Sequence, residues 1–113
     1  MKAFDVDSLE ARRAANGRPL LEFLREESMS LCLYALPPGG PDPQHPHGED
    51  EVYFVTAGKA QIRVGDEDRP VGPGSIVFVP SRVEHHFHSI LERLVVIVVF
   101  ARPRNGNGGA GSR

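Results

Sequence analysis

The hydrophobic positions of this chain change period once. Before residue 17 they fit a short helix: Asp7 or Ser8 can cap a segment from Leu9 to Ala15, and Asn16-Gly17 can end it. Beyond that point the helical period disappears, and short apolar runs separated by glycine, proline and acidic residues take over. Leu20–Leu24 and Ser30–Leu36 read as strands. Pro37–Pro46 is crowded with proline and glycine and reads as a loop. Glu51–Thr56 and Lys59–Val64 read as a hairpin turning at Ala57-Gly58, followed by an acidic turn over Gly65–Pro70. Ser75–Val79 and His85–Ile90 are two further strands joined by Pro80–Glu84, and Leu94–Phe100 is the last. Many short strands with turn signals between them predict an all-β sandwich or barrel with a short N-terminal helix. The organisation expected is an N-terminal segment over 1–19, a β-barrel domain over 20–101 and a tail over 102–113. That tail is rich in glycine, lacks any large apolar residue and is expected to be disordered.

Composition narrows the function classes. With 113 residues the chain is expected to form one domain with a single core. The net charge of -2 and the lack of a basic run speak against nucleic acid and against a membrane surface as partners. Cys32 is the only cysteine, so no intrachain disulfide can form, which is compatible with a reducing cytoplasm. The first residues hold no apolar core of signal-peptide length, and Leu94–Phe100 is far shorter than the ~20 residues of a transmembrane helix. The expectation is a soluble, cytoplasmic protein. Leu94–Phe100 also shows no polar alternation, so both faces of that strand should be buried. One small barrel covers only one face with its own core. A homodimer is therefore expected, with Leu20–Leu24 as the alternative cover, and charged replacement of Val96 or Val98 is expected to release monomers.

The candidate chemistry lies in His45-Pro-His47-Gly-Glu-Asp-Glu51, closed by Gly58 and answered downstream by His85. Three imidazoles and a carboxylate at these spacings suit one divalent metal. His45 and His47 are two apart and would face the same way on an extended strand. Glu49 and Asp50 compete with Glu51 but read better as solvated turn residues. His85 shares a strand face with Phe87 and Ser89, while His86 and His88 would lie on the opposite face. Tyr53, two residues after Glu51, can face the same pocket as a wall residue, or orient a substrate or act as an acid. Arg82 reads as a solvated loop residue, and Cys32 as a small buried hydrophobe on the strand that carries Tyr34.

The stretch from Gly39 to Gly58 resembles the first motif of the cupin superfamily: glycine, five residues, His-x-His, three or four residues, glutamate, six residues, glycine. Gly39, His45, His47, Glu51 and Gly58 occupy its constrained positions. Gly74, Pro80 and His85 match the second motif. Arg82 stands where that motif usually has its second glycine, and Ser89 where it has asparagine. The resemblance covers about residues 20–101 and implies a small single-domain cupin with a double-sheet jelly-roll barrel. It also implies that His45, His47, Glu51 and His85 are the metal ligands, and that such chains associate as dimers.

Three histidines and one glutamate leave open positions on an octahedral ion, as in non-haem iron chemistry. Iron(II) or manganese(II) is favoured, with zinc, nickel or copper as other occupants. The expected function is a metal-dependent enzyme of dioxygenase type acting on a small organic substrate, with Tyr53 as the candidate catalytic side chain. Two alternatives remain open at this point: a non-catalytic cupin that binds a sugar or organic acid, and a metal-dependent sugar isomerase or epimerase.

Overall fold

The computed structural model describes residues 1–102 and contains one helix and six strands among them. These are α1 (Val6–Asn16), β1 (Leu20–Arg25), β2 (Met29–Leu36), β3 (Asp50–Val64), β4 (Glu67–Val71), β5 (Ile76–Val79) and β6 (His85–Ala101). All strand pairs are antiparallel, in the order β1-β2-β6-β3-β4. β5 also lies along β3, pairing with its first half while β4 pairs with its second. The architecture is a jelly-roll barrel with a short N-terminal helix. The predicted tail falls outside the described residues except for Arg102, whose backbone N–H donates to the Ser28 carbonyl at 3.0 Å.

Two long strands replace predicted pairs of short ones. Ala57-Gly58 is not a hairpin turn: β3 runs through it while staying paired with β6 on one edge. The register slips between Val55 and Ala57, between Ala57 and Lys59, and between Lys59 and Gln61. Gly58 sits at φ 97°, and a Cβ there would lie 2.2 Å from the Arg93 carbonyl oxygen. Both the left-handed backbone and the close approach require glycine. The same slips carry β6 unbroken from His85 to Ala101 opposite β3. Bulges bend strands, and these allow one sheet to curl into a barrel. A turn and a bulge use the same glycine signal, so the local pattern did not distinguish them. The predicted acidic turn also shortens. Gly65 and Asp66 make the turn, and β4 follows as an edge strand that tolerates Pro70.

Inward-facing residues fill the barrel with Tyr53, Val55, Ile62, Phe87, Leu94 and Val96, each no more than 2% exposed. A second, smaller core lies on the outside of β2 and β6, where Leu9 packs with Leu21, Leu33, Ala35 and Val95. Helix α1 therefore supplies part of the outer cover. β1 lies beside β2 in the sheet rather than across its face. Val96 and Val98 point into the barrel, so they are not the outward-facing positions that a subunit contact would use. The helix starts at Val6, three residues before the predicted Leu9, with Asp5 rather than Asp7 or Ser8 at its N-cap, and stops at Gly17, whose N–H reaches the Arg13 and Ala14 carbonyls.

Candidate metal centre

Three of the predicted ligands converge. Side-chain donor atoms of His47, Glu51 and His85 all lie within 4.8 Å of one another. Glu51 is the second residue of β3 and His85 the first of β6. In the sheet they are far apart, since Glu51 pairs with Phe100 and His85 with Val64. They meet because the barrel closes: Glu51 Oε2 is 3.3 Å from His85 Nε2 and 3.8 Å from His47 Nε2. His47 arrives from the loop before β3 and is held there by the Arg82 N–H, which donates to its carbonyl at 2.5 Å. Its ring stands edge-on to Phe100 with centroids 5.4 Å apart.

The donor atoms are poised for a cation. His85 Nδ1 lies 2.8 Å from the Val83 carbonyl, which accepts its proton and leaves the Nε2 lone pair facing Glu51. Neither His85 Nε2 nor Glu51 Oε1 has a hydrogen-bond partner among the described residues, although both are buried. Burial pushes the Glu51 carboxyl above its ordinary value, against the lowering effect of His85 beside it. Buried polar atoms without partners are rare and costly in folded proteins, and a coordinated cation removes that cost. The residues present therefore fit a divalent metal.

His45 takes a different place. It is exposed and stands outside the group of three. The rule that residues two apart share a face applies to extended strands, and β3 begins only at Asp50. His45 instead lines a polar cavity of about 230 Å³ together with Asp42, Gln44, Pro46, Glu84, His85 and His86. Tyr53 is fully buried, with its ring centroid 6.0 Å from that of His85. Its hydroxyl donates to Gln44 Oε1 at 2.7 Å. Burial, and next the nearby Glu51 charge, raise its pKa, so the phenol keeps its proton at neutral pH.

Two polar residues of this region are absent from the expected set. Asp42 Oδ1 accepts the Tyr34 hydroxyl, and its Oδ2 accepts Gln44 Nε2 at 2.6 Å and the Phe87 N–H at 2.8 Å. Gln44 in turn receives Tyr53. Asp42 thus ties the loop that bears His45 and His47 to the barrel interior. A carboxylate between two prolines was the available signal, but loop acids are mostly solvated, so it carried no weight.

The remaining candidates behave as surface or core. His86 is exposed, and His88 Nε2 lies 2.9 Å from Asp68 on the outer side of the sheet. Ser89 does not continue the inward face of His85 and Phe87. Its φ of 51° breaks the alternation, and Ile90 turns inward instead. Arg82, at φ 64°, is exposed. The two places where the chain departs from the second cupin motif are thus the two non-glycine residues with left-handed backbone among the described residues, where glycine and asparagine fit best. Cys32 is buried, and burial pushes its thiol up to about 11.

The cupin-domain family model matches residues 32–100, and the chain belongs to that family. It is 55% identical over 105 residues to the uncharacterized protein SCO3923 of Streptomyces coelicolor, covering 93% of this chain and 100% of that protein. It is 37% identical over 60 residues to the dimethylsulfoniopropionate lyase DddQ of Ruegeria pomeroyi, a match covering 52% of this chain but 30% of the lyase. The crystal structure of that lyase aligns with a TM-score of 0.68 at 27% identity, over 74% of this chain and 46% of its own. TT1209 from Thermus thermophilus aligns with a TM-score of 0.73 at 30% identity, over 89% of this chain and 97% of its own. The chain thus spans less than half of the lyase and nearly all of the other two.

Proposed function

We propose that this protein is a metal-dependent cupin enzyme acting on a small polar organic molecule, with the ion held by His47, Glu51 and His85 and approached by His45 from the loop. The observation that carries this reading is the convergence of donor atoms of His47, Glu51 and His85 within 4.8 Å of one another, with Glu51 Oε1 and His85 Nε2 buried and without a hydrogen-bond partner among the described residues. The cavity at their outer edge is small and polar, with two carboxylates, an amide and imidazoles in its wall, so it suits a molecule of few atoms that forms hydrogen bonds.

Two imidazoles and a carboxylate with open positions favour iron or manganese and chemistry of the dioxygenase type, in which the ion would supply the site for O2 and substrate together. Around it, Val83 keeps His85 in one tautomer, Glu51 provides the negative charge, and Gln44 holds the Tyr53 proton at the cavity wall. A lyase is the second reading, favoured by a specific finding: the chain resembles DddQ in sequence and in structure alike. In that case Tyr53, fully buried and donating its one proton to Gln44 Oε1, acts by orienting Gln44 at the cavity wall rather than by donating to substrate.

One experiment tests both. Untagged protein is loaded anaerobically with iron(II), manganese(II) or zinc(II), its metal content is measured, and small oxygenated acids and alcohols are offered with and without O2. Turnover that consumes O2 supports the dioxygenase. Turnover that proceeds equally without O2 supports the lyase. Tight metal binding and ligand binding with no turnover under either condition would overturn the enzymatic reading.

A further inference from the structure

The loop that delivers His47 carries a chain of hydrogen bonds that can run in only one direction. It starts at the Phe87 backbone N–H, a donor whose polarity cannot change, which donates to Asp42 Oδ2 at 2.8 Å. The Tyr34 hydroxyl donates to the other carboxylate oxygen, Oδ1. Asp42 stands between Pro41 and Pro43, which narrow the conformations open to this part of the loop. An ionised carboxylate only accepts, so Gln44 must turn Nε2 toward it, and that nitrogen donates to Oδ2 at 2.6 Å. Gln44 Oε1 is thereby committed to the opposite side, where the Tyr53 hydroxyl donates to it at 2.7 Å. Reversing the amide would set Gln44 Oε1 against Asp42 Oδ2, two acceptors with no proton between them.

The direction of this chain decides where the one Tyr53 proton goes. Tyr53 stands two residues after Glu51 on β3, and both are buried on the inward face. Glu51 is the second acceptor within hydrogen-bonding reach of the phenol. Gln44 takes the proton, and Glu51 Oε1 is left without a hydrogen-bond partner among the described residues. We propose that Gln44 is a positioning residue of the metal centre: held in one orientation by Asp42, it draws the Tyr53 proton away from Glu51 and leaves both oxygens of that carboxylate to a cation. This role rests on the reading that His47, Glu51 and His85 hold a metal. A proton donated onto a carboxylate lone pair competes with a cation for the same electrons. Gln44 therefore acts on the ion although it does not belong to the converging group.

A plain tie for the loop would behave differently. If Gln44 served only to hold the segment that bears His47, its loss would weaken metal binding whether or not residue 53 carried a hydroxyl. The positioning role requires that hydroxyl, because without it Glu51 has no competing donor at this place.

The test is a double-mutant cycle on the full chain: wild type, Q44M, Y53F and Q44M/Y53F, each stripped of metal and titrated with manganese(II) and with zinc(II) in equilibrium dialysis at neutral pH. Methionine keeps the reach of Gln44 and is at most a weak acceptor. Q44M should weaken metal binding by about tenfold, as loss of an outer contact to a ligand does. Y53F should stay within about threefold of wild type, and Q44M/Y53F should bind within about twofold of Y53F, so that the cost of losing the amide disappears with the phenol. Melting curves of the metal-free chains identify a variant that misfolds, and Q44A, which adds no bulk, then takes the place of Q44M in the same cycle. A tenfold loss that persists in the Y53F background makes Gln44 a tie and overturns the proposal, as does a Q44M chain that binds as tightly as wild type. A wild-type chain that takes up neither ion defeats the metal reading itself, and the role of Gln44 with it.

Discussion

The candidate metal centre has two halves of different construction. Glu51 and His85 stand at strand starts, are 1% and 3% exposed, and have their backbones fixed in the sheet. His45 and His47 lie in the stretch between Leu36 and Asp50, which has no regular structure, and both are more exposed. The sheet half is pre-organised, with Glu51 Oε1 and His85 Nε2 buried and without a hydrogen-bond partner among the described residues. The loop half is held by a few polar contacts, with Asp42 at their centre. Binding sites are commonly divided this way, with a rigid frame fixing geometry and a loop granting access.

The largest effect should come from the sheet half. H85A should reduce metal affinity by well over 100-fold, and E51Q should do likewise while making the metal-free protein more stable, by about 1 kcal/mol. Opposite signs for affinity and stability are the signature of a group kept for binding rather than folding. Equilibrium dialysis with metal analysis and thermal denaturation of the metal-free form measure the two. A metal-free E51Q that melts below wild type would show Glu51 to be structural. H45A, by contrast, should cost less than about tenfold, because its ring stands outside the converging group. A loss equal to that of H85A would make the loop half an equal partner.

A second effect, smaller in affinity, should come from the tie between the halves. D42A removes the acceptor of three hydrogen bonds and strands the Phe87 N–H. It should destabilise the fold by about 2–3 kcal/mol. It should also weaken metal binding by about 10–100-fold, as loss of an outer contact to a ligand-bearing segment does. If D42A loses stability yet binds metal as tightly as wild type, the loop needs no anchoring for ligation.

Smaller still are the backbone effects at the motif departures. R82G relieves a left-handed arginine and keeps the N–H that holds His47, so it should stabilise by about 0.5–1 kcal/mol and raise Tm by a few degrees. S89N should give a few tenths in the same direction, since asparagine tolerates that region. Melting curves of the two single variants decide this, and a drop in Tm for R82G would mean that the arginine side chain makes a contribution larger than its strain.

The smallest effect at neutral pH concerns Cys32. Its folded pKa is raised, from 9.0 to about 11, by burial and then by Glu22. A raised folded value means that the protonated thiol favours the native state. The contribution is fully present below pH 9 and is lost as pH rises through about 11. Thiol-reagent kinetics should therefore show negligible labelling of the native protein at pH 8 and a steep rise only near pH 11. Fast labelling at pH 8 would place Cys32 in an open rather than packed environment.

Much of the molecule was determined by sequence alone. The change of period after Gly17, the runs of β-branched residues and the punctuation by proline and glycine dictated an all-β barrel behind a short helix, because side-chain period is a local property of backbone geometry. The cupin motifs likewise singled out His45, His47, Glu51 and His85, of which the last three converge. What local pattern did not contain was continuity. Gly58 carries a signal shared by turns and bulges, and only pairing between β3 and β6 decided that the strands run on. That same choice fixed which of Val95 and Val96 faces the core, and left Phe54, Ile76 and Phe78 on an open outer face. Tertiary structure also decided His45 and Asp42. Whether a loop residue points at a site or at solvent depends on contacts with distant strands, and Asp42 found its partners at Tyr34 and Phe87 only once the barrel had closed.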